Sequence, residues 1–171
     1  MSERSAAPGG LALVESLVNT LDIESGGDAL DSGEGRARFG IGQDELPAAR
    51  ELRESLRAAL LAHAGHPPHR AVTPLGELLA RAPLLVAVDE RDGSAALAPA
   101  DAAPLLSRVA AAVAEALVAG TWTRLKACEA DTCLWAYYDR SPAGRGRWCS
   151  MQVCGARAKM RRYRAKDAKE A

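Results

Sequence analysis

Aromatic side chains are scarce in this chain: one Phe, three Trp and three Tyr among 171 residues. Any core must therefore be built mainly from Ala, Leu and Val, which suggests helices. No apolar run approaches the roughly 20 residues that cross a bilayer, so a membrane-spanning helix is excluded. The first ten residues lack a cationic segment followed by a long apolar stretch, and Glu15 interrupts the first apolar segment. No secretory signal is expected, which points to the cytoplasm. Cysteine is absent before Cys128, and no Ser/His/Asp arrangement stands out, so no enzyme is expected. Two Gly-rich patches lack the Lys-Ser/Thr of a phosphate loop, so no nucleotide site is assigned.

Net charge is absent too, but the zero hides an asymmetry. Residues 121–171 hold 12 Lys and Arg against 5 Asp and Glu, a charge of +7. The first 120 residues hold 10 against 17, a charge of −7. A basic end on an acidic body suits a nucleic-acid-binding tail, although a solvated charged helix would look the same.

The first 120 residues read as a mostly helical body. Residues 1–10 are small, polar and Pro/Gly-containing, and are expected to be a disordered leader. Leu11, Val14, Leu17, Val18 and Leu21 share one helical stripe ending near Asp22. Asn19 and Thr20 fall at its end, as capping groups or, less simply, as ligand-sensing ones. Ser25 to Gly42 reads as a long loop. A second helix starts at Asp44 as cap, with Pro47 in its first turn, and carries Leu52, Leu56, Leu60 and Leu61. Its Arg50, Arg53, Glu54 and Arg57 are expected to form a solvated face. His63, His66 and His69 are all the histidines of the chain. They read as an exposed loop rather than a metal site, because Pro67 and Pro68 prevent a shared helix face. A short helix follows over 74–81. Leu84–Val88 and Ser94–Leu97 flank Asp92-Gly93, a hairpin signal. Asp101 is placed to cap a last helix, 104–119, with a stripe of Leu105, Leu106, Val109, Val113 and Leu117, closed by Gly120.

All four cysteines fall in one stretch. Cys128 pairs with Cys133 and Cys149 with Cys154, each pair with the same internal spacing. Four thiolates in two close pairs suit one tetrahedral zinc. Two disulfides would also fit the count, but the spacing and a reducing compartment favour metal. Four thiolates leave no open position, so the zinc is read as structural. Leu134–Tyr138 reads as a strand, 139–144 as a turn, and Arg147-Trp148-Cys149 as the returning strand. From Gly155 a helix begins, with Ala156, Met160 and Tyr163 expected to face the module. Trp135, Tyr137, Tyr138 and Trp148 read as its core, with base stacking by one of them as the alternative. Arg124, Lys126, Arg147 and Arg157 could offset the charge of a thiolate-bound zinc. The fold class expected is α+β and mostly helical: a helical body with one β-hairpin, then a small treble-clef-like module of knuckle, hairpin and helix.

The run Cys133…Asp139-Arg140-Ser141…Gly144…Arg147-Trp148-Cys149-Ser150-Met151…Cys154-Gly155-Ala156-Arg157-Ala158-Lys159…Tyr163-Arg164 resembles the CGNR zinc-finger family. The resemblance spans about forty residues. Ala156 replaces the motif asparagine, and Ala143 and Gly146 stand where Asn and Arg are expected; the ligands are unaffected. The opening Leu11-Ala12-Leu13…Leu17-Val18-Asn19-Thr20-Leu21 is similar to the start of an ABATE domain, the usual N-terminal companion. The resemblance implies domains at 11–120 and 121–171. It also implies a bacterial, stress-linked transcription regulator with a zinc-dependent end that binds DNA, taken as double-stranded. The basic residues Arg145, Arg147, Arg157, Lys159, Arg161, Arg162, Arg164 and Lys166 are the DNA-contact candidates. A homodimer and a small-molecule effector of the body are further expectations. The competing reading is a zinc module that docks on an acidic protein partner.

Overall fold

The computed structural model describes residues 5–170, with side chains through residue 166. Of the predicted leader, residues 1–4 fall outside the described residues. Residues 5–10 are not loose. Ala7 is buried in the core and its N–H donates to Glu15 Oε2 at 2.7 Å. Arg140 donates to the Ser5 and Ala6 carbonyls at 3.1 and 2.7 Å. The small side chains that suggested disorder instead let this segment lie flat on the body.

Helix α1 (Leu11–Val18) buries Leu11, Val14, Leu17 and Val18 of the predicted stripe but ends short of the expected Asp22, and Leu21 lies beyond it in an isolated bridge with Asp28. Its start lies directly on a later helix, since a Cβ on Gly10 would come within 2.7 Å of Ala112 Cβ. The expected long loop 25–42 is partly ordered. It contains a 3-10 turn (Ala29–Asp31) and α2 (Gly33–Ala37). Asp28 accepts from Leu30 N at 3.0 Å and Ser32 Oγ from Gly35 N at 2.9 Å, so side-chain caps sustain elements too short for a periodic signal. Leu30, Phe39 and Ile41 from this segment are buried.

Helix α3 (Leu46–Ala62) has Glu45 at its cap position, one residue past the expected Asp44, with Pro47 in its first turn. Leu52, Leu56, Leu60 and Leu61 are buried as the periodicity requires. Its expected solvated face is not solvated: Arg53, Glu54 and Arg57 are 3%, 1% and 0% exposed. Helix α4 (Leu75–Leu79) follows, then strands β1 (Leu84–Val88) and β2 (Ala95–Pro99). They pair antiparallel with Val86 opposite Leu97, and Gly93 takes φ +71° in the predicted turn. Helix α5 (Leu105–Val118) buries Leu105, Val109 and Val113, but Leu117 at the end of the predicted stripe is exposed. Asp101 does not cap α5; it accepts from Ala103 N at 2.9 Å, and Pro104 occupies the cap position.

Strands β3 (Leu125–Ala127) and β4 (Ala136–Tyr138) form the second two-stranded sheet, with Lys126 opposite Tyr137. The predicted return strand at 147–149 is absent among the described residues. Its partner role is taken by β3, so the first cysteine knuckle is itself the turn of the hairpin. A π-helical turn (Met151–Gly155) leads into α6 (Ala156–Glu170). The fold is thus α+β, mostly helical, with a small cysteine module at its C-terminal end. The main core is continuous across the expected domain boundary: Leu125, Ala127, Leu134 and Ala136 belong to the same buried cluster as α1, α3 and α5. Among the described residues no helix is long and apolar enough to cross a membrane.

Candidate metal centre and basic helix

The four cysteines converge from three elements. Cys128 follows β3, Cys133 precedes β4, Cys149 lies before the π turn and Cys154 within it. Their sulfurs all lie within 4.8 Å of one another. Cys133 Sγ is 3.4 Å from Cys149 Sγ, which is 3.7 Å from Cys154 Sγ. A tetrahedron of sulfurs about 2.3 Å from a central zinc has edges of about 3.8 Å, so the cradle fits that ion. Cys128 and Cys154 are buried, and Trp148 packs against the cluster.

Without a cation these thiols resist ionisation. The hydrogen bond with Cys133 favours the Cys128 thiolate, but the bond with Cys149 and burial outweigh it and push this thiol up to about 12. Cys133 is driven far up by its hydrogen bonds with Cys128 and Cys149 and by burial. Burial and the neighbouring Cys149 raise Cys154. Only a bound cation can hold four thiolates this close. The site takes one structural zinc, whose chemistry here is to cross-link the knuckle to the start of α6.

The expected charge-offsetting cations have other partners. Arg124 donates to the carbonyls of Asp139, Ser141 and Pro142 at 3.4, 2.5 and 3.4 Å, tying down the 139–144 turn. Lys126 Nζ is buried and reaches Asp139 Oδ2 at 3.0 Å and the Gly144 carbonyl at 2.5 Å. Burial pushes the Asp139 carboxyl up, but bonds from Ser141, Lys126 and Gly146 outweigh it and hold it well below the usual carboxylate range. Arg147 forks onto Glu129 at 2.7 and 2.8 Å and lies over the Trp148 ring. Arg157 pairs with Glu24 of the body at 3.0 Å. Two of the eight DNA-contact candidates, Arg147 and Arg157, are therefore engaged within the chain.

The other candidates sit on the surface. Arg145 is exposed in the turn before Trp148, and Lys159, Arg161, Arg162, Arg164 and Lys166 are exposed along α6. The predicted facing of that helix is corrected. Cys154, Gly155 and Ala158 are buried, whereas Ala156, Met160 and Tyr163 are exposed. Small residues make the close approach of the start of α6 to the module; the Trp148 ring would lie 3.3 Å from a Cβ on Gly155. Beyond Ala158 the described residues through Lys166 are exposed, and Arg161, Arg162 and Ala165 share a shallow cavity with Arg147 and Trp148. Of the predicted module core, Tyr137 is buried and donates to the Gly146 carbonyl at 2.6 Å, Tyr138 packs on the main core, and Trp135 is 39% exposed.

Periodicity did not reveal the groups behind the centre. The three histidines are not a free loop. His63 Nδ1 lies 2.7 Å from the Leu125 carbonyl and its ring meets Trp122 edge-on at 4.9 Å. Because a carbonyl only accepts, Nδ1 carries the proton, and burial lowers the pKa of this imidazole. His66 Nε2 is 3.0 Å from Glu129 Oε1, near enough for an ion pair though not aligned for a hydrogen bond. His69 Nε2 is 3.1 Å from Glu54 Oε2. Asn19 caps the C-terminal end of α1 through its backbone, and its side chain reaches β4: Nδ2 donates to the Ala136 carbonyl at 3.0 Å and Oδ1 accepts from Ala136 N at 2.7 Å.

Four clustered thiols on a knuckle, hairpin and helix, fused to a helical body, define a zinc-finger protein with a large N-terminal domain. The CGNR zinc-finger model matches residues 124–167. The chain belongs to the ABATE family, whose description is "Putative stress-induced transcription regulator" and whose model matches residues 11–120. No curated protein matches the chain.

Proposed function

We propose that this protein is a zinc-dependent transcription regulator that binds double-stranded DNA through α6, acts in the cytoplasm and catalyses no reaction. The observation that carries this reading is the placement of α6. Its root is pinned at Cys154, while Arg161, Arg162 and Arg164 stand exposed further along it. An exposed basic helix suits a groove, where Lys and Arg meet phosphates and an Arg fork can read guanine. Arg145, Lys159 and Lys166 extend the same surface. In this reading Arg147 and Arg157 serve structure first, since Glu129 and Glu24 already neutralise them. One helix makes few base contacts, so a pair of copies would supply specificity. The body offers exposed Leu85, Val86, Val88 and Leu97 for pairing, and a cavity of about 770 Å³ between the hairpin and α5 for an effector.

A specific observation favours one competing reading. Met151, Val153, Met160 and Tyr163 are exposed on the module and would suit a protein partner. Binding to fragmented genomic DNA at two salt concentrations separates the two. A DNA regulator should lose affinity with salt at a slope near −0.9 per phosphate neutralised, yet still enrich a shared sequence. Arg161→Ala with Arg162→Ala should lower DNA affinity without loss of zinc and flatten the slope by about 2. Binding that ignores both substitutions would move the protein-partner reading ahead.

A further inference from the structure

The two strands that carry the first pair of cysteines are held by side chains of the N-terminal body. Arg57 on α3 is fully buried and divides its guanidinium three ways. Nε pairs with Glu54 at 3.0 Å, one terminal nitrogen donates to the Val18 carbonyl at 2.8 Å, and the other to the Leu134 carbonyl at 2.7 Å. Leu134 directly follows the ligand Cys133. It has φ +51°, a left-handed conformation that is unfavourable for a leucine and persists only when its surroundings impose it. Two residues on, Asn19 takes both backbone groups of Ala136. On the other strand, His63 holds the Leu125 carbonyl. The second pair lies on a different segment. Cys149 precedes the π turn and Cys154 lies within it, Met151 and Val153 of that turn are exposed, and α6 meets the body at the exposed Arg157–Glu24 pair.

We propose that Arg57 and Asn19 are positioning residues for the metal centre, holding the Cys128–Cys133 half in ligating form so that zinc affinity is thermodynamically linked to the α1–α3 contact they span, not to the stability of the body at large. Zinc then closes a half-site that the body has already built, capturing Cys149, Cys154 and the root of α6. Linkage is reciprocal: whatever shifts α1 against α3 weakens zinc, and removing zinc loosens α1 and α3. Arg57 is joined through Glu54 to Arg53, which reaches Asp28 at 2.8 Å and Thr20 at 3.1 Å. The body thus has one continuous ionic route to the knuckle, independent of whether α6 binds DNA.

The test is zinc affinity of the full chain by chelator competition. Arg57→Met and Asn19→Ala should each weaken zinc at least ~10-fold, as loss of a supporting partner does at metal sites. Arg57→Lys keeps the charge without the fork and should not restore affinity. Arg50→Ala, at the exposed rim of the same network, should change it by less than about twofold, and so should the core variant Leu78→Ala, chosen to lower stability elsewhere. Cobalt substituted for zinc gives a second readout: at full loading, the Arg57→Met and Asn19→Ala spectra should depart from wild type while Leu78→Ala keeps it. Hydrogen exchange on wild type should quicken in α1 and α3 when zinc is chelated. Folded Arg57→Met and Asn19→Ala proteins with wild-type zinc affinity would overturn the proposal, as would α1 and α3 exchange indifferent to zinc. If Arg57→Met does not fold, Asn19→Ala decides.

Discussion

Glu54 is the residue on which the interior electrostatics turn. It is 1% exposed, yet it faces Arg53 at 2.8 Å, Arg57 at 3.0 Å and His69 at 3.1 Å. Burial pushes its carboxyl up, but the two guanidiniums outweigh that and hold it ionised below the ordinary carboxylate value. Arg57 feels the converse: burial lowers its pKa and Glu54 partly restores it. Such a cluster is weak evidence for net stability, because desolvation offsets much of the attraction, but removing one member leaves buried charge uncompensated. Glu54→Ala should therefore cost about 3–5 kcal/mol in urea denaturation, far beyond an exposed substitution. A loss near zero would mean that water reaches Arg57 and that the network is not dry. Nothing in the sequence around Glu54 announces this. Arg50, Arg53, Glu54 and Arg57 look like the polar side of an amphipathic helix, and their burial depends on what the chain lays over them later.

At the scale of elements, the short hairpin β3–β4 decides how the cysteine module behaves. Its turn is the Cys128–Cys133 knuckle, its strands lie in the main core, and Asn19 and Arg57 hold β4 and Leu134, two residues before it. The second half, from Trp148 into α6, packs on the first knuckle through Trp148 and the thiols and reaches the body where Arg157 pairs with Glu24. Loss of one ligand should then act unequally. Cys149→Ser should release zinc and free α6, seen as sharp, mobile amide signals beyond Ser150, while β3 and β4 keep slow amide exchange. Equal loss of protection in both halves would contradict this asymmetry. Several elements were legible in advance. The α1 stripe, the apolar side of α3, the Asp92-Gly93 hairpin and the Gly120 stop follow local rules of period and turn chemistry. The order within residues 25–42 was not, because it rests on single caps from Asp28 and Ser32 and on three scattered apolar residues.

For the whole molecule, two family matches meet near residue 120, but the buried core does not divide there. The 3-10 turn Trp122–Arg124 sits at the junction, and Trp122 packs on the body beside His63. A chain cut after Gly120 would lose Leu125, Ala127, Leu134 and Ala136 from its core and strand the guanidinium of Arg57 and the amide of Asn19. Each lost aliphatic side chain leaves a cavity as well as exposed surface. The 1–120 fragment should thus unfold well below the full chain on heating, or fail to fold. A fragment as stable as the full protein would show two independent domains. Charge also divides at this scale: Glu24 of the acidic body pairs with Arg157 near the start of the basic helix, and residues 159–166 are exposed.

By itself the sequence determined the chemistry of the metal site and the kinds of local structure around it. Cysteine spacing names the ligands because a tetrahedral ion needs four soft donors on short tethers, and that demand is local. The same holds for helices read from period and turns read from Gly, Asp and Pro. Tertiary structure alone decided which charges are buried, which strand partners β4, and which face of α6 meets the module. Those outcomes depend on residues far apart in the chain, such as Asn19 with Ala136 and Arg57 with Leu134. A hydrogen bond between distant segments leaves no periodic trace in either of them, so the link from the helical body to the zinc knuckle became visible only once the chain was folded.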